Sequence, residues 1–163
     1  MLEDYEICSM IENGTVLTNV PGRSVEEIFN FACKNSNLPL GLDAETLEKE
    51  LVAREKILST AVGKGFSIPH PGRPLVKSAE DKRVIVCFLR NPIDMGAPDG
   101  RYVSVMFILL SDSTKSHIKA LAGLAKLFRN PQFINYMSAK PSKNDLIEKI
   151  RQINSTEVYE LCS

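Results

Sequence analysis

Val84-Ile85-Val86-Cys87-Phe88-Leu89 and Tyr102-Val103-Ser104-Val105-Met106-Phe107-Ile108-Leu109-Leu110 decide the architecture of this chain. Both runs are rich in Val, Ile, Phe and Leu and almost free of polar residues, the composition of buried strands. Asn91-Pro92 and Asp99-Gly100 supply turn signals between them. A third, shorter extended run spans Phe66 to His70, flanked by Gly63, Gly65 and Pro71. Together they predict a central sheet.

Outward from these strands, the spacing predicts helices. Ser24-Val25-Glu26-Glu27 is a capping box, and Val25, Ile28, Phe29 and Ala32 recur at helical intervals, so a helix is expected from about Ser24 to Lys34. Asp43 caps a second through Glu55, on which Leu47 and Leu51 lead, at steps of four and three, to Arg54 near the buried face of the last turn. A third begins near Thr114 to Ser116, carries Ile118, Leu121, Ala122, Ala125 and Phe128, and ends before Asn130-Pro131. A short helix is expected around Gln132 to Ser138, and a last one opens with Ser142 and Asp145 and runs through Leu146, Ile147, Ile150 and Ile153. Residues before Pro21-Gly22 read as a short opening segment with a β-branched run, Thr15 to Val20. Helices on either side of the strands imply a layered α/β sandwich.

The 163 residues suffice for one sizeable core, so a single domain over 1–163 with a core at about 15–153 is expected. Lys plus Arg equal Asp plus Glu at 20 each, which leaves no basic field to hold a nucleic acid. Cys8, Cys33, Cys87 and Cys162 are scattered without a C-x-x-C pair, and neither histidine is near them in sequence, so no metal site is expected and the thiols read as reduced. The N-terminal residues lack a basic region followed by an apolar stretch, and the longest apolar run, Val105 to Leu110, is too short to span a membrane. A cytoplasmic location follows as the expectation.

His70 stands where the run Gly65 to Ile68 meets the loop Pro69-His70-Pro71-Gly72. Pro69 fixes its own φ and Pro71 restricts the backbone of His70, so the ring is carried on a stiffened segment. A neutral imidazole, with a reference pKa of about 6.5, keeps one free lone pair and can attack phosphorus without a separate base. The alternative is a loop histidine held by a backbone hydrogen bond. Arg54, on the inward side of its helix, must find an anion or several acceptors; it is either a phosphate clamp or a partner for its helix terminus, Glu50 or Glu55. His117 falls in the first turn of the third helix, where free backbone N–H groups and the dipole favour anions, and it is otherwise a half-exposed helix residue. Ser59 and Thr60 could donate hydroxyls to a phosphoryl oxygen or simply turn the chain. Gly63-Lys64-Gly65 lacks the rest of a phosphate-binding loop, with Phe66 where Ser or Thr is needed, so nucleotide binding is discounted. Ser111 and Ser113 are not set in a nucleophile elbow, and hydrolase chemistry is unsupported.

The segment Arg54-Glu55-Lys56-Ile57-Leu58-Ser59-Thr60-Ala61-Val62-Gly63-Lys64-Gly65-Phe66-Ser67-Ile68-Pro69-His70 resembles the signature of type-2 enzyme IIA domains of the bacterial phosphotransferase system, and the resemblance runs from about Ser24 to Ile153. It implies one α/β domain with a mixed sheet between helices, phosphorylated on His70, with Arg54 and His117 completing the active site and Ser59 and Thr60 in the intervening turn. It implies a phosphoryl carrier rather than a turnover enzyme, with the histidine phosphocarrier protein as donor, a IIB domain or a regulatory target as acceptor, and no cofactor. The family divides into nitrogen-regulatory proteins and sugar-specific transport components of the fructose or mannitol type; the regulatory branch is the expectation, with the sugar branch or an unphosphorylated binding module of the same fold as alternatives. Pro71 departs from the small residue, such as glycine, usual after the active histidine, and it removes one backbone N–H from the site. The donor is expected to dock on apolar surface such as Ile68, Pro71 and Leu75.

Overall fold

The computed structural model describes residues 2–162; Met1 and Ser163, the ends of the expected domain, lie outside the described residues. The elements run α1 (Leu2–Asn13), β1 (Thr15–Val20), α2 (Val25–Lys34), α3 (Ala44–Ile57), β2 (Ala61–Gly63), β3 (Phe66–Ser67), β4 (Arg83–Ile93), β5 (Val103–Leu110), α4 (Thr114–Leu127), α5 (Pro131–Met137) and α6 (Lys143–Cys162), with one 3-10 turn at Ala79–Asp81. The sheet order is β1-β4-β5-β3-β2. β1 runs parallel to β4 and β3 parallel to β5, whereas β4/β5 and β2/β3 are antiparallel, so the sheet is mixed.

Side chains alternate across a strand, and here both faces are covered. Val84, Val86 and Phe88 of β4 with Val105, Phe107 and Leu109 of β5 face a core shared with α1, α4, α5 and α6. Ile85, Cys87 and Leu89 with Met106, Ile108 and Leu110 face a second core, filled by Ile28, Phe29 and Ala32 of α2 and Leu47 and Leu51 of α3. That is why these two strands carry so few polar residues. The expected α/β sandwich is the fold observed.

The helix starts follow their caps. The Ser24 hydroxyl accepts from the Glu27 amide at 3.2 Å, while the Glu27 carboxylate reaches back one residue further than the capping box requires, to the Arg23 amide at 2.8 Å. Asp43 accepts from the Thr46 amide at 2.8 Å, and Ser142 from the Asp145 amide at 3.3 Å.

Four boundaries differ from the sequence reading, the first being the run expected from Phe66 to His70, of which only Phe66–Ser67 is strand. The opening segment contains a 12-residue helix, α1, whose Ile7, Met10 and Ile11 are buried. Asn91-Pro92 does not end β4, which continues to Ile93; the pairing with β5 shifts register between Phe88 and Ile93, and an exposed proline is tolerated at such an irregularity because no ladder bond is asked of it. α6 runs on beyond Ile153 to Cys162.

Gly14 separates α1 from β1 where the chain passes against β4. A Cβ there would lie 1.9 Å from the Val84 carbonyl oxygen, a backbone atom that cannot move aside, so only glycine fits.

Candidate active site

The carboxyl ends of the parallel neighbours β3 and β5 hold the site, and the ladder continues just past β3 to hold it. The Ile68 amide donates to the Thr60 carbonyl at 3.0 Å, and the Pro69 carbonyl accepts from the Leu109 amide of β5 at 2.9 Å. His70 is the next residue, so its Cα is fixed by the sheet while its ring stands beyond the edge. Phe66, four residues earlier, stacks on Phe128 with ring centroids 4.4 Å apart, anchoring β3 in the core.

The His70 ring is held by Nδ1, 2.8 Å from the Ile68 carbonyl oxygen. A carbonyl only accepts, so Nδ1 carries the proton and Nε2 keeps the lone pair. The two readings of His70 therefore coexist: the backbone bond that holds it as a loop histidine is what leaves the other nitrogen available. Burial pulls the His70 pKa below its ordinary value, assisted by the Arg54 charge and opposed by the Ile68 bond and Glu55.

β5 leads through Ser111 and the cap Ser113 into α4. The Ser113 hydroxyl accepts from the Ser116 amide at 3.2 Å, and Asp112 takes the Ser116 hydroxyl at 2.6 Å. This cap sets the first turn, which carries His117 to a ring centroid distance of 4.6 Å from His70, the planes tilted by 54°. His117 Nδ1 lies 3.5 Å from the Ser111 hydroxyl, a long contact. Burial, then the proximity of His70 and Arg54, pushes the His117 pKa down to about 4, so at neutral pH it is an uncharged ring.

Arg54 arrives in the last turn of α3. Its Nη1 donates to the Leu58 carbonyl at 2.6 Å, closing the helix end, and the guanidinium also lines the cavity with His70 and His117. Neither expected carboxylate takes it: Glu50 pairs with Arg73 at 3.0 Å, and Glu55 binds Thr60. One cavity of about 420 Å³ thus brings together Arg54, His70 and His117, along with Arg73, Leu109, Ser111, Ser113 and Thr114. Its floor includes the amino end of α4, where the helix dipole favours an anion.

Ser59 and Thr60 do not line this cavity. The Ser59 hydroxyl donates to the Met95 carbonyl at 2.5 Å and the buried Thr60 hydroxyl to Glu55 at 2.6 Å, so both donors are already committed. Their closeness to the site in sequence is real, but the turn points the hydroxyls elsewhere. The expected docking residues change as well: Ile68 is 3 % exposed and Pro71 is buried, whereas Ile57 and Leu58 at the cavity rim are 80 % and 69 % exposed. Arg73 escaped the sequence reading; a cation three residues after His70 on the same Pro-Gly loop was the available signal.

The model of the phosphoenolpyruvate-dependent sugar phosphotransferase system EIIA 2 family matches residues 9–153. The chain belongs to this family. Among its relatives, this EIIA 2 domain is 30 % identical over 148 residues to the nitrogen regulatory protein of Pseudomonas aeruginosa, covering 87 % of this chain and 92 % of that one. It is 31 % identical over 139 residues to the nitrogen regulatory protein of Escherichia coli, covering 82 % and 80 %. Of solved structures, the nitrogen regulatory protein IIA-Ntr of Neisseria meningitidis superposes on the domain with a TM-score of 0.70 at 27 % identity, over 92 % of this chain and 99 % of that one. The mannitol IIA of Escherichia coli shares the fold, with a TM-score of 0.63 at 17 % identity over 83 % and 94 %. Among the described residues no helix is long and apolar enough to cross a membrane.

Proposed function

We propose that this chain is a cytoplasmic phosphoryl carrier of the nitrogen-regulatory type, which receives a phosphoryl group on Nε2 of His70 from the histidine phosphocarrier protein and passes it to, or signals it to, a partner protein. The whole of 1–163 acts as one unit in this reading. The observation that supports it is the Nδ1 contact of His70 with the Ile68 carbonyl, which leaves Nε2 with no protein partner among the described residues and places its lone pair on a ring that lines a cavity with two arginines.

In the transfer, the Nε2 lone pair attacks phosphorus in line as the donor's N–P bond breaks. The donor ring departs as neutral imidazole, keeping a proton on its other nitrogen, and His70 retains its proton on Nδ1. No base is needed. The phosphoryl group spreads its charge over three equatorial oxygens, so catalysis is positioning and electrostatics. Arg54 offers a planar fork to two of those oxygens, His117 donates from a ring that stays neutral and so does not repel His70, and the amino end of α4 faces the same charge.

The reading is tested by incubating the protein with phosphoenolpyruvate, enzyme I and the histidine phosphocarrier protein, then locating phosphate by mass spectrometry under alkaline conditions that preserve phosphohistidine. A single phosphate on His70 is the expected result, and a protein that stays unlabelled under conditions that label the donor overturns the carrier role. The regulatory assignment draws on the relatives' names, and a search for the binding partner with His70 phosphorylated and unphosphorylated checks it: regulation requires one partner whose affinity differs between the two states.

A further inference from the structure

Glu55 sits one residue after Arg54, yet its carboxylate takes no part in the cavity. It lies in the last turn of α3, where the helix dipole disfavours an anion, so a local reason for an acid is lacking. What the carboxylate does is grip the next turn twice: Oε1 accepts from the Thr60 amide at 2.9 Å and Oε2 from the Thr60 hydroxyl at 2.6 Å. The Thr60 carbonyl then accepts from the Ile68 amide at 3.0 Å, and the Ile68 carbonyl accepts from His70 Nδ1 at 2.8 Å. These four hydrogen bonds tie a carboxylate on α3 to the imidazole by way of the Thr60 and Ile68 backbone.

We infer that Glu55 is a positioning residue for His70, acting through the placement of the Thr60 and Ile68 backbone to hold Nδ1–H and so keep the lone pair on Nε2; its consequence for transfer rests on the carrier reading above. In each link the acceptor is a carboxylate or carbonyl oxygen, which cannot donate, so the direction is unambiguous. The Thr60 carbonyl pins the backbone of Ile68 at its N–H, and the Ile68 carbonyl, on the following peptide unit, is thereby held where it meets the ring. If the Glu55 grip is lost, the Ser59–Ala61 turn relaxes, the Ile68 carbonyl swings with its peptide plane, and the ring is free to exchange its proton between nitrogens. Thr60, singled out in the sequence as a possible phosphate ligand, has its place in this chain instead.

The test uses ring nitrogen NMR of His70 in the unphosphorylated full-length protein, alongside the rate of labelling. Wild type is expected to show one tautomer, protonated at Nδ1. Glu55→Ala is expected to show a second tautomer and to slow labelling about tenfold with little change in the donor's KM, while Glu55→Gln, which keeps an acceptor for the Thr60 amide, recovers part of both. A folded Glu55→Ala protein with the wild-type ring spectrum overturns the inference. Should that variant not fold, Thr60→Val removes only the hydroxyl link and is read the same way: a smaller tautomer shift supports the chain, and none refutes it. Because the spectrum needs no phosphate, its outcome is separable from the carrier reading, which fails instead if wild type is not labelled.

Discussion

The His70 and His117 rings stand 4.6 Å apart, the first in the loop three residues past β3 and the second on the first turn of a helix. Two elements from distant parts of the chain meet there only because β3 and β5 are parallel neighbours and α4 follows β5 directly. Each ring therefore has a separable role.

His70→Ala is expected to abolish labelling, and His117→Ala to slow it by roughly 10²-fold, the scale of removing one preorganised donor. Both variants should retain the wild-type circular dichroism spectrum and melting temperature within a few degrees, since both rings are only part-buried and neither fills the core. Labelling rates at saturating donor measure the first effect.

Arg54→Lys keeps the charge but loses the fork, while Arg54→Ala loses both along with the bond to the Leu58 carbonyl. The alanine variant should cost about 0.5–1.5 kcal/mol of stability from that bond, and both should slow transfer, the alanine more. Urea unfolding and labelling rates, run in parallel, separate the two consequences.

Acidification should weaken the fold through His117. Its pKa is about 4 in the folded protein and about 6.5 in the unfolded chain, so between those values the unfolded chain binds more protons. Stability is then undiminished above about pH 6.5 and declines as pH falls toward 4, by on the order of 1 kcal/mol once partial solvent screening is allowed for. Comparing melting temperatures at pH 7 and pH 4.5, wild type should drop further than His117→Ala.

Gly14→Ala places a methyl carbon 1.9 Å from the Val84 carbonyl oxygen. Backbone must separate from backbone there, between α1 and the central strand. A loss of about 3 kcal/mol or more is expected in denaturant unfolding, with the soluble yield falling accordingly.

Ile57→Asp is expected to raise the donor's KM about tenfold while leaving the fold and the rate at saturation near wild type, because the side chain is 80 % exposed at the cavity rim and contributes no core. Titration of the donor in the labelling assay reads it directly, and an unchanged KM places the donor's footprint elsewhere.

The sandwich was legible because β4 and β5 are buried on both faces and their composition says so, and α2, α3 and α6 announce themselves with caps. α1 carried no such announcement: its buried side chains, Ile7, Cys8, Met10 and Ile11, mark no clear period among acidic neighbours. At the site, Arg54, His70 and His117 were each visible, but their meeting was not derivable from spacing; the family resemblance supplied it and the topology realises it. Ser59 and Thr60 misled because nearness in sequence fixes where a backbone goes and says little about where a hydroxyl points. Arg73 was passed over for the converse reason, since a loop residue's reach depends on a turn that no periodicity describes.

The distribution of thiols has a practical outcome. Cys8, Cys33 and Cys87 are buried, and burial lifts the Cys33 pKa to about 12 and raises that of Cys87 as well, whereas Cys162 is exposed on the final turn of α6, nine residues past the end of the family match at 153 and outside the cavity lining. A maleimide dye added to the native protein will therefore attach at one position, giving a single-site fluorescent label without any engineered cysteine and without touching the imidazoles.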